Sequence, residues 1–191
     1  MEIVLIGGIC YILGSIPFGF ILTKIFLKKD IRNLGSGNIG ATNALRTGNK
    51  FIGYGTLILD VAKAVIPILY IKYNYMDLVY IASLCSFLGH VFPIWLRFNG
   101  GKGIATYIGI LFSINLIYGF LFIIIWILIF FISKYSSLSS LIGASSVPIY
   151  IFFFNQNFLF FYLIMFILII FTHRENIKRL KNKEETKTKI Y

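Results

Sequence analysis

Acidic side chains are scarce in this chain: 7 Asp and Glu stand against 18 Lys and Arg in 191 residues. No polar loop gathers the carboxylates that a divalent cation takes as oxygen ligands, so neither a metal nor a cofactor is expected. Cysteine is almost missing. The 2 present, Cys10 and Cys85, lie inside apolar runs and read as small buried hydrophobes, with no disulfide and no thiol nucleophile. Charged residues of either sign amount to 13% against 58% hydrophobic, which excludes an ordinary soluble domain. No internal repeat is visible. The net charge of +11 is not a nucleic-acid signal, because the cations cluster at the ends of apolar runs, as the positive-inside rule expects.

What is present is a series of runs long enough to span a bilayer. The first, about residues 3–27, has no basic residue before it, and Lys24, Lys28 and Lys29 come at its end. It is therefore a span with its N-terminus outside, not a cleaved signal. Gly14-Ser-Ile-Pro-Phe-Gly19 interrupts it, so a kink at Pro17 is expected. Residues 51–72 return outward and carry Asp60 and Lys63, three apart on one helix face. Charges at that depth are expensive, so the two form an internal ion pair or face a substrate. Residues 78–96 run inward. Residues 104–133 are long for one helix and would leave Lys134 outside; two shorter spans turning near Ser113–Tyr118 keep it inside. Further spans are expected at about 138–154 and 158–172, joined by an outer turn at 155–157. The serines at 136–140 read as caps of the following helix. The tail from His173 holds seven Lys and Arg against three Glu and belongs in the cytoplasm.

Two polar clusters stand out. Gly35-Ser-Gly-Asn-Ile-Gly-Ala-Thr-Asn-Ala-Leu-Arg46 combines glycines, small polar residues and one arginine. A flexible linker has no use for Asn38, Thr42, Asn43 and Arg46 together. Backbone N–H groups in glycine turns make anion nests, and Arg46 can clamp a phosphate or carboxylate. Gly35-x-Gly37-x-x-Gly40 matches a dinucleotide fingerprint literally, but no strand precedes it and no βαβ unit fits. The second cluster is Arg97-Phe-Asn-Gly-Gly-Lys-Gly-Ile-Ala-Thr106. It lacks the spacing of a nucleotide phosphate loop, yet a glycine turn, a lysine and a helix start converge in the same way. Both clusters, Ser136–Ser140 and His173–Arg179 fall on one predicted face, the cytoplasmic one. Cations and nests suggest a phosphate substrate there; Phe- and Ile-rich walls suggest that its other part is lipid.

These stretches, with Gly14-Ser-Ile-Pro-Phe-Gly, Gly89-His-Val-Phe-Pro and His173-Arg-Glu-Asn-Ile-Lys-Arg-Leu, resemble the family of bacterial acyl-phosphate:glycerol-3-phosphate acyltransferases, PlsY, over essentially the whole chain. The resemblance implies an all-α fold, a compact bundle of seven transmembrane helices with the N-terminus outside and the C-terminus cytoplasmic. It implies one integral-membrane acyltransferase domain over 1–191, with 173–191 as its basic tail. The activity implied is transfer of a fatty acyl group from acyl phosphate to the sn-1 hydroxyl of glycerol 3-phosphate, giving lysophosphatidic acid and phosphate, at the cytoplasmic face of the inner (plasma) membrane. Ser36, Arg46 and Lys102 would bind phosphate, and Gly37, Asn38, Asn43, Gly101 and Gly103 would belong to the same phosphate-binding set. Ser139, His173 and Asn176 would orient substrate or assist proton transfer. Membrane lipids would be the surroundings, and no nucleic acid and no obligatory protein partner is implied. One departure is Lys183, where the family usually has glycine.

The residues fit that chemistry. Neither His90 (followed at five by Trp95) nor His173 (by Lys178) has the His-x4-Asp pattern of many thioester-using acyltransferases. An acyl phosphate carries a good leaving group, so holding two phosphates and the carbonyl oxyanion matters most. The rival reading is a transporter for an organic phosphate, which Asp60, Lys63 and a broken first helix would suit.

Overall fold

The computed structural model describes residues 1–155 and 158–188. Gln156 and Asn157 of the expected outer turn and Lys189–Tyr191 of the tail lie outside the described residues. Among those described there is no β-strand, which disposes of a βαβ unit; ten α-helices are joined by short turns. Five helical stretches are long and apolar enough to cross a membrane, or six if the pair Leu159–Thr172 and Arg174–Lys181, bent by 61°, counts as one. The chain divides into two compact units, Met1–Ile114 and Asn115–Tyr191.

In the first unit the opening apolar run is broken as its sequence demands. α1 (Glu2–Gly14) and α2 (Phe18–Leu27) are separated at Ser15–Pro17, because proline donates no N–H to the turn before it. Small residues let α1 cross α5 (Val79–Val91) closely: a Cβ on Gly14 would lie 2.2 Å from Ser86 O, and one on Gly89 2.2 Å from Tyr11 O. Such contacts replace the hydrophobic drive that lipid cannot supply. The short α3 (Ala41–Leu45) leads into α4 (Lys50–Asn74), whose first turn is capped by Asn49 Oδ1 accepting from Ile52 N–H at 3.2 Å. α6 (Ile104–Ile114) packs along α4, and Lys72 Nζ caps its final turn by donating to Ser113 O and Ile114 O, each at 3.0 Å.

The long segment 104–133 is two helices, as its length requires, and the break is at Asn115. The Asn115 side chain accepts from Ile117 N–H at 2.9 Å and starts α7 (Leu116–Ser133). The 11 residues of α6 span about 16 Å, short of the ~30 Å hydrocarbon layer. In the second unit α8 runs over Ser136–Phe154 and α9 over Leu159–Thr172, followed by α10 (Arg174–Lys181). The 136–140 serines are not caps: Tyr135 is the cap residue, and they form the first turns of α8. Tyr118 packs edge-on against Tyr150 and Tyr162, and Trp126 Nε1 donates to Ser140 Oγ at 3.1 Å, tying α7 to α8 and α9.

Candidate functional site

The Gly35–Arg46 segment is a folded loop. Ile31, Ile39 and Ala44 are buried with Ile52 of α4 and Leu96 in one cluster. Leu96 lies just before the second glycine cluster, so the two polar loops of this unit share an apolar base. Above that base one side chain organises the turn. Asn43 is 2% exposed. Its Oδ1 accepts from Ser36 N–H at 2.8 Å, and its Nδ2 lies 3.2, 2.9 and 2.8 Å from the carbonyls of Ile31, Leu34 and Asn38. Every polar atom of this amide is committed to the backbone, so Asn43 builds the loop instead of reaching a phosphate. Asn38 Oδ1 likewise turns inward to Gly40 N–H at 2.8 Å. Gly35 and Gly37 have φ of 53° and 72°, a region that glycine enters at little cost. A Cβ on Gly35 would meet Asn43 Oδ1 at 2.2 Å. The side chains of Ser36 and Arg46 remain exposed. At the loop's entrance Asp30 chelates Arg32, Oδ2 to Nη2 at 2.6 Å. The hydrogen bonds from Arg32 hold this carboxyl below the usual range.

The second loop lies against α5. Gly100 and Gly101 N–H donate to Val91 O and His90 O, each at 3.1 Å, and so cap carbonyls at the end of that helix. A Cβ on Gly101 would lie 2.0 Å from His90 Nε2, and one on Gly103 2.2 Å from Phe87 Cε2. These glycines serve close packing on α5; the expected anion nest is not what fixes their identity. Lys102 is half-buried between two buried glycines at the entrance to α6. Beneath the loop, Asp60 and Lys63 form the internal pair that their spacing allowed. Lys63 Nζ is 2.8 Å from Asp60 Oδ1, with side chains 3% and 2% exposed. Two further partners were not legible in the sequence: Ile16 O, exposed by the helix break, at 2.7 Å, and His90 Nδ1 at 2.9 Å.

In the second unit Ser139, His173 and Asn176 are all buried. Ser139 Oγ donates back to Tyr135 O at 2.9 Å. His173 ends α9 and precedes α10, and its Nδ1 donates to Ile169 O at 2.9 Å. Asn176 is held by a residue the sequence did not single out. Glu185 Oε1 accepts from Asn176 Nδ2 at 2.7 Å and Ser137 Oγ at 2.8 Å, and Oε2 accepts from Arg179 Nε at 2.7 Å. Burial alone would raise this carboxyl, but the three donors and the Arg179 charge outweigh it and hold it below the usual range. The turn that returns Glu185 to α10 pairs Glu184 N–H with Arg179 O at 2.8 Å and Lys183 N–H with Leu180 O at 3.2 Å. This is a Schellman ending, and Lys183 fills its left-handed position with φ 60°. The lysine thus takes up the geometry that glycine suits.

The glycerol-3-phosphate acyltransferase family profile matches residues 4–183. A protein of Pelagibacter ubique (strain HTCC1062) named glycerol-3-phosphate acyltransferase is 68% identical over 191 residues, covering all of both chains. One of the same name from Anaplasma marginale (strain Florida) is 46% identical over 180 residues, covering 93% of this chain and 90% of its own. Two crystal structures of PlsY, an integral membrane glycerol 3-phosphate acyltransferase, are similar at 34% identity and cover 98% of this chain. The glycerol 3-phosphate form has a TM-score of 0.92 and is covered over 96% of its length. The lysophosphatidic acid form has a TM-score of 0.89 and is covered over 95%.

Proposed function

The chain belongs to the glycerol-3-phosphate acyltransferase family, and from that premise we propose which donor, residues and membrane face its reaction uses. It is an enzyme of phospholipid synthesis that acylates glycerol 3-phosphate. The donor is acyl phosphate. The sn-1 hydroxyl attacks the acyl carbonyl carbon, the bond from that carbon to the phosphate oxygen breaks, and the departing phosphate takes the hydroxyl proton. Lysophosphatidic acid and inorganic phosphate result, and no metal, cofactor or carrier protein is needed.

Ser36, Arg46 and Lys102 bind phosphate. Gly37, Asn38, Asn43, Gly101 and Gly103 give their loops shape. Ser139, His173 and Asn176 orient the hydroxyl and the carbonyl. The observation that carries this reading is the build of the first loop. Asn43 uses up the polar groups inside the turn, while the side chains of Ser36 and Arg46 stay exposed on it. A guanidinium on a rigid turn is suited to bidentate phosphate recognition. Seven spans within one membrane domain, counting 104–114 as a short one and the N-terminus as external, put all three loops and the tail on the cytoplasmic side of the plasma membrane. The transporter reading loses its main support, since Asp60 and Lys63 are buried and ion-paired with each other.

The test is purified protein in liposomes given glycerol 3-phosphate and an acyl phosphate. Product is expected with a chelator present, and Lys102→Ala should lose most of the activity while remaining folded. Near wild-type turnover by that variant removes Lys102 from the site. Activity lost to the chelator, or seen only with an acylated carrier, overturns the donor assignment.

A further inference from the structure

The buried Lys63 ammonium has three N–H donors and three neighbours: Ile16 O at 2.7 Å, Asp60 Oδ1 at 2.8 Å and His90 Nδ1 at 2.9 Å. With Lys63 as the ammonium partner of Asp60 it offers no acceptor, so Nδ1 of His90 accepts and the ring proton sits on Nε2. Nε2 is the ring atom against which Gly101 packs, and the carbonyl of His90 receives the Gly101 N–H. One residue therefore touches the Gly100–Gly103 loop with both ring and backbone. The orientation of its ring is fixed from behind by the Lys63–Asp60 ion pair. His90 is 3% exposed and Asp60 1%, so bulk water does not compete for these bonds.

We propose that His90 is a positioning residue for the Gly100–Gly103 loop, locked as its Nε2–H tautomer by the Lys63–Asp60 pair, and that this lock sets the affinity for glycerol 3-phosphate through Lys102. The inference rests on Lys102 binding phosphate. A loop released from the ring holds Lys102 in several positions, and the loss falls on the ligand it grips.

Ring nitrogen NMR of the purified wild-type protein reads the tautomer directly. The chain has 2 histidines, and a His173→Asn sample assigns them. His90 is expected to carry its proton on Nε2 with Nδ1 unprotonated; a proton on Nδ1 overturns the lock. Kinetics read its consequence. Lys63→Met keeps length and loses every donor, but strands a buried carboxylate, so Asp60→Asn/Lys63→Met is measured beside it. Both are expected to raise KM for glycerol 3-phosphate roughly tenfold, the worth of one good hydrogen bond, with KM for acyl phosphate unchanged. An unchanged KM for glycerol 3-phosphate in the double variant, or an equal rise in both KM values, overturns the positioning role. Lys102→Ala run in parallel separates the causes. A large rise there with none in the double variant removes the lock and leaves the phosphate reading intact. No rise at Lys102→Ala removes both.

Discussion

Replacing Glu185 by alanine takes the shared acceptor away from Ser137, Asn176 and Arg179 at once. Hydrogen bonds to a charged group are worth about 1.5–3 kcal/mol each, but these three are not additive. Arg179 is 39% exposed by its side chain while Glu185 is 7%, so the guanidinium regains water where Asn176 does not. Discounting for that leaves about 2–3 kcal/mol for the docking of the tail, a 30- to 140-fold rise in its opening at about 1.4 kcal/mol per decade. Glutamine discriminates further. With its oxygen toward Ser137 and Asn176 its amide faces the Arg179 N–H, and flipped it faces the other two donors; one bond is lost or two. The order of protection is therefore wild type, Gln, Ala. Hydrogen exchange at the Lys183 and Glu184 amides in detergent micelles measures it. The folded carboxyl is held below its unfolded value, so this stability is complete above about pH 5 and is lost as pH falls past the ordinary glutamate value near 4.3. Exchange in both variants at the wild-type rate, or protection that grows on acidification, would refute the reasoning.

Lys183→Gly relieves a left-handed non-glycine residue and should slow the same exchange by about three- to tenfold, near 1 kcal/mol; unchanged or faster exchange counts against the Schellman turn. Gly101→Ala puts a methyl where a Cβ would lie 2.0 Å from His90 Nε2, so activity should fall at least tenfold, with wild-type kinetics as the contrary result. Single cysteines at Ser136 and Lys187, in a background without Cys10 and Cys85, should resist an impermeant thiol reagent on intact cells until the membrane is opened. Labelling of both from outside would end the seven-span assignment.

Features fixed by chain-local physics were legible in the sequence. Pro17 announces the break in the first span, the length of 104–133 announces a second break, and three-residue spacing puts Asp60 and Lys63 on one helix face while leaving open whether they pair or face a substrate. Roles that depend on a distant partner were not. His90 lies twenty-seven positions from Lys63, and nothing in either segment names the other. Glu185 looked like one acid in a basic tail; only the turn through Lys183 returns it to Asn176. Polar type alone also did not show that the Asn43 amide faces its own loop, or that the missing side chains at Gly101 and Gly103 make room for α5.

The placement of Asp60 and Lys63 on one helix bears on how the protein enters the bilayer. α4 precedes α5 in the chain, so the imidazole of His90 is not yet packed beside α4 when that helix enters the bilayer. A lone carboxylate or ammonium near mid-helix would carry a cost of about 2.5–3.5 kcal/mol on insertion scales. With its counter-ion three residues away, α4 brings its own neutralisation. The later contacts with Ile16 O and His90 then act as a register mark, since a slip of one helical turn, about 5.4 Å, would take both acceptors out of reach of Nζ.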